Sequence, residues 1–323
     1  MRSVIRAMHS VAAPEPHKTR FIDHIVEGAA PDVRIETFTW KRAVQGDFDV
    51  FHIHWPERLL RKGWLKTFVL LASLRARKIP IVRTLHNLDP HEAGGAWEAR
   101  LLRLIDRRTE MFIRLNNHTP LPADAQSVTI PHPHYLPRVS RRNASDAVAG
   151  RILYFGIVRP YKGVQALIDA FRDAAPPQTE LRIVGSATGD RGAGVRQAMV
   201  DDQRITARLE YVTDTDLDNE IAAAELVVLP YRHMHNSGAL FLALSHARPV
   251  LVPRNPVNED ISQEVGPGWV YLFDGDLDGK QLLDALRGAR RGLPVLPPNL
   301  SNRDWVVLGN QLRDAYQRVL RSR

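Results

Sequence analysis

The sequence predicts an α/β protein of two doubly wound domains, on three observations. Strand-like apolar runs alternate with helical patterns along most of the 323 residues, the signature of parallel sheets covered by helices. The alternation is broken once, over 138–150, by a stretch rich in Ser, Arg, Asn, Asp and Ala and poor in large apolar side chains. With 44% hydrophobic residues, the chain is long enough to bury two cores. The expected division is a first domain over 1–148, a second over 149–300, and a helical segment over 301–323.

In the first domain, strands are expected at 48–54, 79–85, 111–115 and 127–130, each bounded by polar turns. Segment 58–78 is apolar with basic punctuation and carries Trp64 near one end. Because it joins two strands it must pack on the sheet, while its Arg and Lys side chains suit an anionic lipid surface. The pattern restarts with strands at 152–155, 181–184, 209–212, 226–229 and 249–252, with helices over 164–174 and 217–223. Near the end, Leu308, Leu312, Tyr316 and Leu320 share one helical face. Ligands of open parallel sheets collect at the carboxyl ends of the strands, so the site is expected in a cleft between the domains.

The opening strand of the second domain carries the strongest motif. It runs into Gly156, then Arg159 and Lys162, then Gly163 at a helix start. Turn amides, paired cations and a helix N-terminus together suit a diphosphate held without a metal. Val184-Gly185 ends the next strand, and Leu229-Pro230-Tyr231 ends a later one before Asn236-Ser237-Gly238-Ala239. Asn236 or Ser237 is a good N-cap, and the amides of Ser237, Gly238 and Ala239 suit an anion.

In this order the motifs resemble the donor domain of GT-B glycosyltransferases, particularly family 4 and its relatives. Gly156, Arg159, Lys162 and Gly163 are similar to the family's strand, basic residue and Lys-Gly. Val184-Gly185, Leu229-Pro230 and Pro249-Val250 are similar to its later strand ends. The resemblance implies two Rossmann-like domains facing a central cleft, the first for an acceptor and the second for a nucleotide-sugar donor. The last helix is then expected to cross back onto the first domain. It further implies Tyr211 and Val212 near the nucleotide base and Glu259 near the ribose or sugar. Arg159 lies further from Gly156 than is usual, and Met234 and Leu242 stand where family 4 has two glutamates. His233, His235 and Asn236 are candidates for that missing polar role, and retention of configuration is not implied.

The first domain has two histidine-bearing strand ends, His52 and His54 before Glu57, and His86 before Asp89, His91 and Glu92. The resemblance implies that His86 contacts the donor sugar or phosphate. An inverting transfer also needs a base from this domain, and Asp89, Glu57 and Glu92 are the candidates. A metal site is the rival reading of His52, His54, His86, His91, His132 and His134, but no paired cysteine or facial carboxylate accompanies them, so none is expected.

Net charge is +8, with 23 Lys and Arg against 15 Asp and Glu in residues 1–148 and 21 against 21 thereafter. The excess points the first domain toward an anionic partner, such as a lipid-linked phosphate or a membrane surface. Nucleic acid is disfavoured by the absence of a basic stripe with interleaved aromatics. With no cysteine, a disulfide framework, a thiolate metal site and a catalytic cysteine are all excluded. No run reaches the eighteen or so apolar residues of a spanning helix, and no leader-like segment is read. A cytoplasmic protein is expected, peripheral at the inner face of the plasma membrane where it meets lipid.

The expected function is transfer of a sugar from a nucleotide diphosphate sugar, GDP-mannose or a UDP-sugar, to a glycan acceptor, lipid-linked, in polysaccharide assembly. Mannose follows from the resemblance alone, and no cofactor beyond the donor is expected. Two alternatives stay open, a sugar-nucleotide epimerase of the same fold and a non-catalytic sugar-nucleotide-binding partner protein.

Overall fold

The computed structural model describes residues 4–13, 21–61, 64–86, 95–121, 124–139, 147–292 and 294–322. The chain divides into two compact units, Met1–Pro133 with Asn302–Arg323, and His134–Ser301. The division therefore falls at 133/134, upstream of the expected 148/149. Tyr135 is buried in the second unit's core and its N–H donates to Ser245 Oγ at 2.9 Å, so that unit already includes the chain at this point.

The first unit runs β1 (Ile5–His9), α1 (Phe21–Glu27), β2 (Val33–Thr37), α2 (Trp40–Gln45), β3 (Val50–Ile53), α3 (Glu57–Arg61), α4 (Trp64–Ala76), β4 (Ile81–Leu85), α5 (Ala96–Arg108), β5 (Thr109–Arg114) and β6 (Ser127–Thr129). Its sheet is parallel in the order β2-β1-β3-β4-β5-β6. The chain leaves β1 toward one edge and returns toward the other, so the topological switch point lies between β1 and β3. All four residues of β3 are buried, as a central parallel strand covered on both faces requires. The expected helix over 58–78 is two: α3 ends at Arg61 and α4 starts at Trp64. Thr67, Leu70, Leu71 and Leu74 of α4 face inward at helical spacing.

The second unit runs β7 (Arg151–Phe155), α6 (Val164–Ala174), β8 (Glu180–Val184), α7 (Ala193–Asp201), β9 (Ile205–Arg208), α8 (Asp214–Ala222), β10 (Leu226–Val228), α9 (Gly238–Ser245), β11 (Val250–Pro253), α10 (Pro256–Val265), β12 (Val270–Phe273) and α11 (Gly279–Arg290). Its parallel sheet has the order β12-β11-β10-β7-β8-β9, with the switch point between β7 and β10. One strand is misplaced by the sequence reading: residues 209–212 follow β9 rather than forming it. Leu209 and Val212 pack partly against the core from a loop, and the hydrogen-bonded strand is the more polar Ile205–Arg208.

The chain closes with α12 (Trp305–Arg321), capped by Asp304 and grouped with the first unit. Its buried Leu308, Leu312, Tyr316 and Val319 join Ala7, Val50 and Val82 of that unit's sheet in one core cluster.

Candidate functional site

In the second unit the expected phosphate-binding residues gather at the switch point. β7 runs into Gly156, and a short 3-10 turn over Pro160–Lys162 leads to Gly163 and α6. Gly163 has φ +67, and a Cβ there would lie 1.9 Å from the Pro230 carbonyl, so only glycine lets this turn pack on the end of β10. Gly185 does the same for β8: a Cβ would lie 2.3 Å from the Gly156 carbonyl.

Lys162 Nζ donates to the Tyr231 hydroxyl at 3.1 Å and stands 4.7 Å from that ring's centroid. Burial, with the Arg159 charge nearby, pushes the Lys162 ammonium down to about 8. Burial pushes the Tyr231 phenol up, so it stays neutral and donates or accepts as a hydroxyl. Arg159, Arg191 and Arg232 line a cavity of about 190 Å³ that also reaches the first residues of α6 and α7. The Nε of Arg159 is buried there without a hydrogen-bond partner. Cations and helix N-termini around one space suit an anion. Ser237, whose side chain bonds with Tyr231, caps α9, accepting from the Leu240 N–H, with Gly238 and Ala239 as the first helical residues and Asn236 just before them.

Asn255, which caps α10, donates through Nδ2 to the Met234 carbonyl at 2.9 Å, so the start of that helix is tied to the loop before α9. Glu259 lies on the first turn of α10 and pairs with Arg254 at 3.1 Å. Tyr211 and Val212 follow β9, with Tyr211 exposed.

In the first unit the carboxyl ends of β1, β3 and β4 converge on a cluster of histidines. His9, His52 and His54 are buried, and the half-buried His86 follows β4. Trp55 stacks on His86 at 4.0 Å between centroids and adopts φ +46, a left-handed conformation that bulky residues avoid. Phe21 meets the rings of His86 and His132 at 4.8 and 5.0 Å. Ligand nitrogens of His9, His52 and His54 lie within 4.8 Å of one another, a spacing open to a metal ion. Yet these nitrogens already bond to Tyr316, Thr84, His86 and one another. Burial drives all of these histidines toward the neutral form: His54 is lowered to about 3 and His132 to about 4, and His9, His52 and His86 lie well below the usual imidazole range.

Glu57 opens α3 half-buried, and its Oε2 is buried without a hydrogen-bond partner. Asp89, His91 and Glu92 lie outside the described residues. His134 falls in the second unit. The sequence reading missed Arg191, Arg232, His9 and Thr84, and took Tyr316 only as part of an apolar face. Arg191 and Arg232 follow strand ends already flagged at Gly185 and Tyr231, which is the one signal that pointed to them.

The model for the family described as glycosyl transferases group 1 matches residues 149–288. A GDP-mannose:glycolipid 4-beta-D-mannosyltransferase of Xanthomonas campestris pv. campestris is 43% identical over 317 residues, covering 94% of this chain and 90% of that protein. Among solved structures, Anabaena HepE in complex with UDP aligns with a TM-score of 0.66 at 15% identity, covering 98% of each chain. The lipopolysaccharide outer core galactosyltransferase WaaB aligns with a TM-score of 0.66 at 13% identity, covering 97% of this chain and 99% of the other. Similarity at that level of identity speaks to the fold.

Proposed function

The chain belongs to the GT-B glycosyltransferases, and from that premise we propose that it moves mannose from GDP-mannose to a glycolipid acceptor. The carrying observation is the group of four cations, Arg159, Lys162, Arg191 and Arg232, around the turn that follows β7. The relative's name supports the choice of donor and acceptor.

Transfer forms a bond from the acceptor oxygen to the anomeric carbon and breaks the bond from that carbon to the diphosphate oxygen, which keeps the electron pair. The protein's largest task is to stabilise that leaving diphosphate. Lys162, the three arginines and the amides at Ser237–Ala239 are assigned to it, in place of a metal. GDP-mannose carries its sugar in α linkage, so a β-linked product requires inversion and a base for the acceptor proton. Glu57 and His86 of the first unit are assigned to the acceptor side, and Asp89 remains a candidate. Tyr211, Val212 and Glu259 are assigned to the nucleoside and sugar. Calorimetric titration with GDP, UDP, ADP and dTDP tests the donor side: GDP binds best and EDTA leaves the affinity unchanged. Selective binding of another nucleotide, or loss of GDP binding in EDTA, overturns it.

We further propose that the first unit sits on an anionic membrane surface, peripherally at the inner face of the plasma membrane. Among the described residues no helix is long and apolar enough to cross a membrane. Instead α4 exposes Trp64, Leu65, Phe68 and Val69, and α5 adds Trp97, which is 67% exposed and stacks on Trp64 at 6.5 Å. Arg100 lies over the Trp97 ring at 5.2 Å, so apolar and cationic groups share one surface. Replacing Trp64 and Trp97 together by Ser is expected to lower sedimentation with phosphatidylglycerol vesicles while transfer to a detergent-dispersed acceptor persists. Undiminished sedimentation would remove this surface from the account.

A further inference from the structure

Six side chains of the first unit form one continuous hydrogen-bonded chain. His52 Nε2 meets Thr84 Oγ1 at 2.7 Å, and His52 Nδ1 meets the Tyr316 hydroxyl at 2.6 Å. The same hydroxyl meets His9 Nε2 at 2.8 Å. His9 Nδ1 then meets His54 Nε2 at 3.1 Å, and His54 Nδ1 meets His86 Nε2 at 3.0 Å. The links come from β1, β3, β4 and the distant α12, so tertiary folding alone assembles them.

A neutral imidazole has one N–H and one lone pair, and a hydroxyl has one proton to give. Tyr316 can donate to only one of His9 and His52, and must accept from the other. That single choice fixes every remaining link. If Tyr316 donates to His9, all four histidines carry their proton on Nδ1 and the donors point toward His86. If Tyr316 donates to His52, all four carry it on Nε2 and the donors point toward Thr84. Any mixed arrangement sets two N–H groups, or two lone pairs, against each other. His9, His52, His54, Thr84 and Tyr316 are each at most 3% exposed, so water is poorly placed to repair such a fault.

We propose that Thr84, His52, Tyr316, His9 and His54 are positioning residues that tie the tautomer of His86 to their own, so that the proton position His86 presents to the reacting sugar is set by the whole chain rather than by His86 alone. Ordering of the chain stands on geometry. Only its kinetic consequence rests on reading His86 as a residue of the transfer site.

The test is the long-range proton–nitrogen spectrum of the full-length protein labelled with ¹⁵N-histidine, which distinguishes Nδ1–H from Nε2–H directly. The expected result is one shared tautomer for His9, His52, His54 and His86, assigned through single His→Gln variants. Tyr316→Phe removes the central link; it is expected to give His54 and His86 mixed tautomers and to lower kcat by on the order of 10- to 100-fold, with little change in donor KM. Thr84→Val, at the chain's far end, repeats the test if Tyr316→Phe does not fold. Mixed tautomers or an imidazolium in the parent protein overturn the ordering, as does Zn²⁺ binding alone at these nitrogens with one-to-one stoichiometry. A shared tautomer with unchanged kcat in Tyr316→Phe overturns the positioning role. The spectrum needs no substrate, so a parent protein with ordered histidines and no mannose transfer would count against the proposed donor and acceptor instead.

Discussion

Lys162→Ala is expected to slow sugar transfer by about 10²- to 10³-fold, the usual loss when one preorganised partner of a developing anion is removed. The Lys162 ammonium rests on the Tyr231 hydroxyl and ring, partly desolvated. Burial and Arg159 lower it to about 8, whereas a bound diphosphate favours the charged form and raises it again. GDP affinity of the parent protein should therefore fall as pH rises above about 8, and the alanine variant should lose that dependence. Steady-state kinetics and calorimetry across this range check both statements. An unchanged kcat in Lys162→Ala would remove the lysine from the transfer chemistry.

The other large effect is loss of stability in mild acid. His54 and His132 are lowered to about 3 and about 4 in the folded chain, chiefly by burial, against 6.5 for an exposed imidazole. Because the folded values are the lower ones, the unfolded chain takes up protons first as pH falls. The stability these groups contribute is complete above about 6.5 and is lost progressively below it. Between pH 7 and pH 5 each costs about 2 kcal/mol. His9, His52 and His86 shift in the same direction for the same cause. His54 and His132 together then cost about 4 kcal/mol, a large fraction of the roughly 5–15 kcal/mol that holds a typical domain together. All five histidines lie in that unit, so thermal melts followed by tryptophan fluorescence should show Tm dropping steeply from pH 7 to pH 5. A flat Tm over that interval would mean that the cluster is hydrated or already charged.

The second unit was the more legible of the two. Its turn at Gly156–Gly163 announces itself locally, through a glycine that must adopt positive φ and cations a few residues away, and α6 occupies the 164–174 span read from its spacing. Strand β9 was misread because Thr206 and Arg208 interrupt its apolar pattern while Leu209 and Val212 beyond it mimic one. In the first unit, β1 and β2 were not read, since Arg6, His9, Arg34 and Glu36 hide the apolar run. The histidine chain depends on contacts of very long range: His9 and Tyr316 are 307 positions apart, and Tyr316 reads locally as one more residue of an amphipathic helix face. His52 and His54 were visible as a pair at a strand end, but whether they bind metal, substrate or each other is decided only by which atoms the fold brings near them.

Mannose transfer is followed most directly by tracing radiolabel from GDP-mannose into a lipid-linked glycan acceptor, beside a parallel reaction with UDP-glucose, each with and without EDTA. The proposed transfer predicts label in the lipid fraction from GDP-mannose alone, undiminished by EDTA and nearly abolished by Lys162→Ala. Release of free mannose without acceptor, or transfer from UDP-glucose in its place, would contradict it.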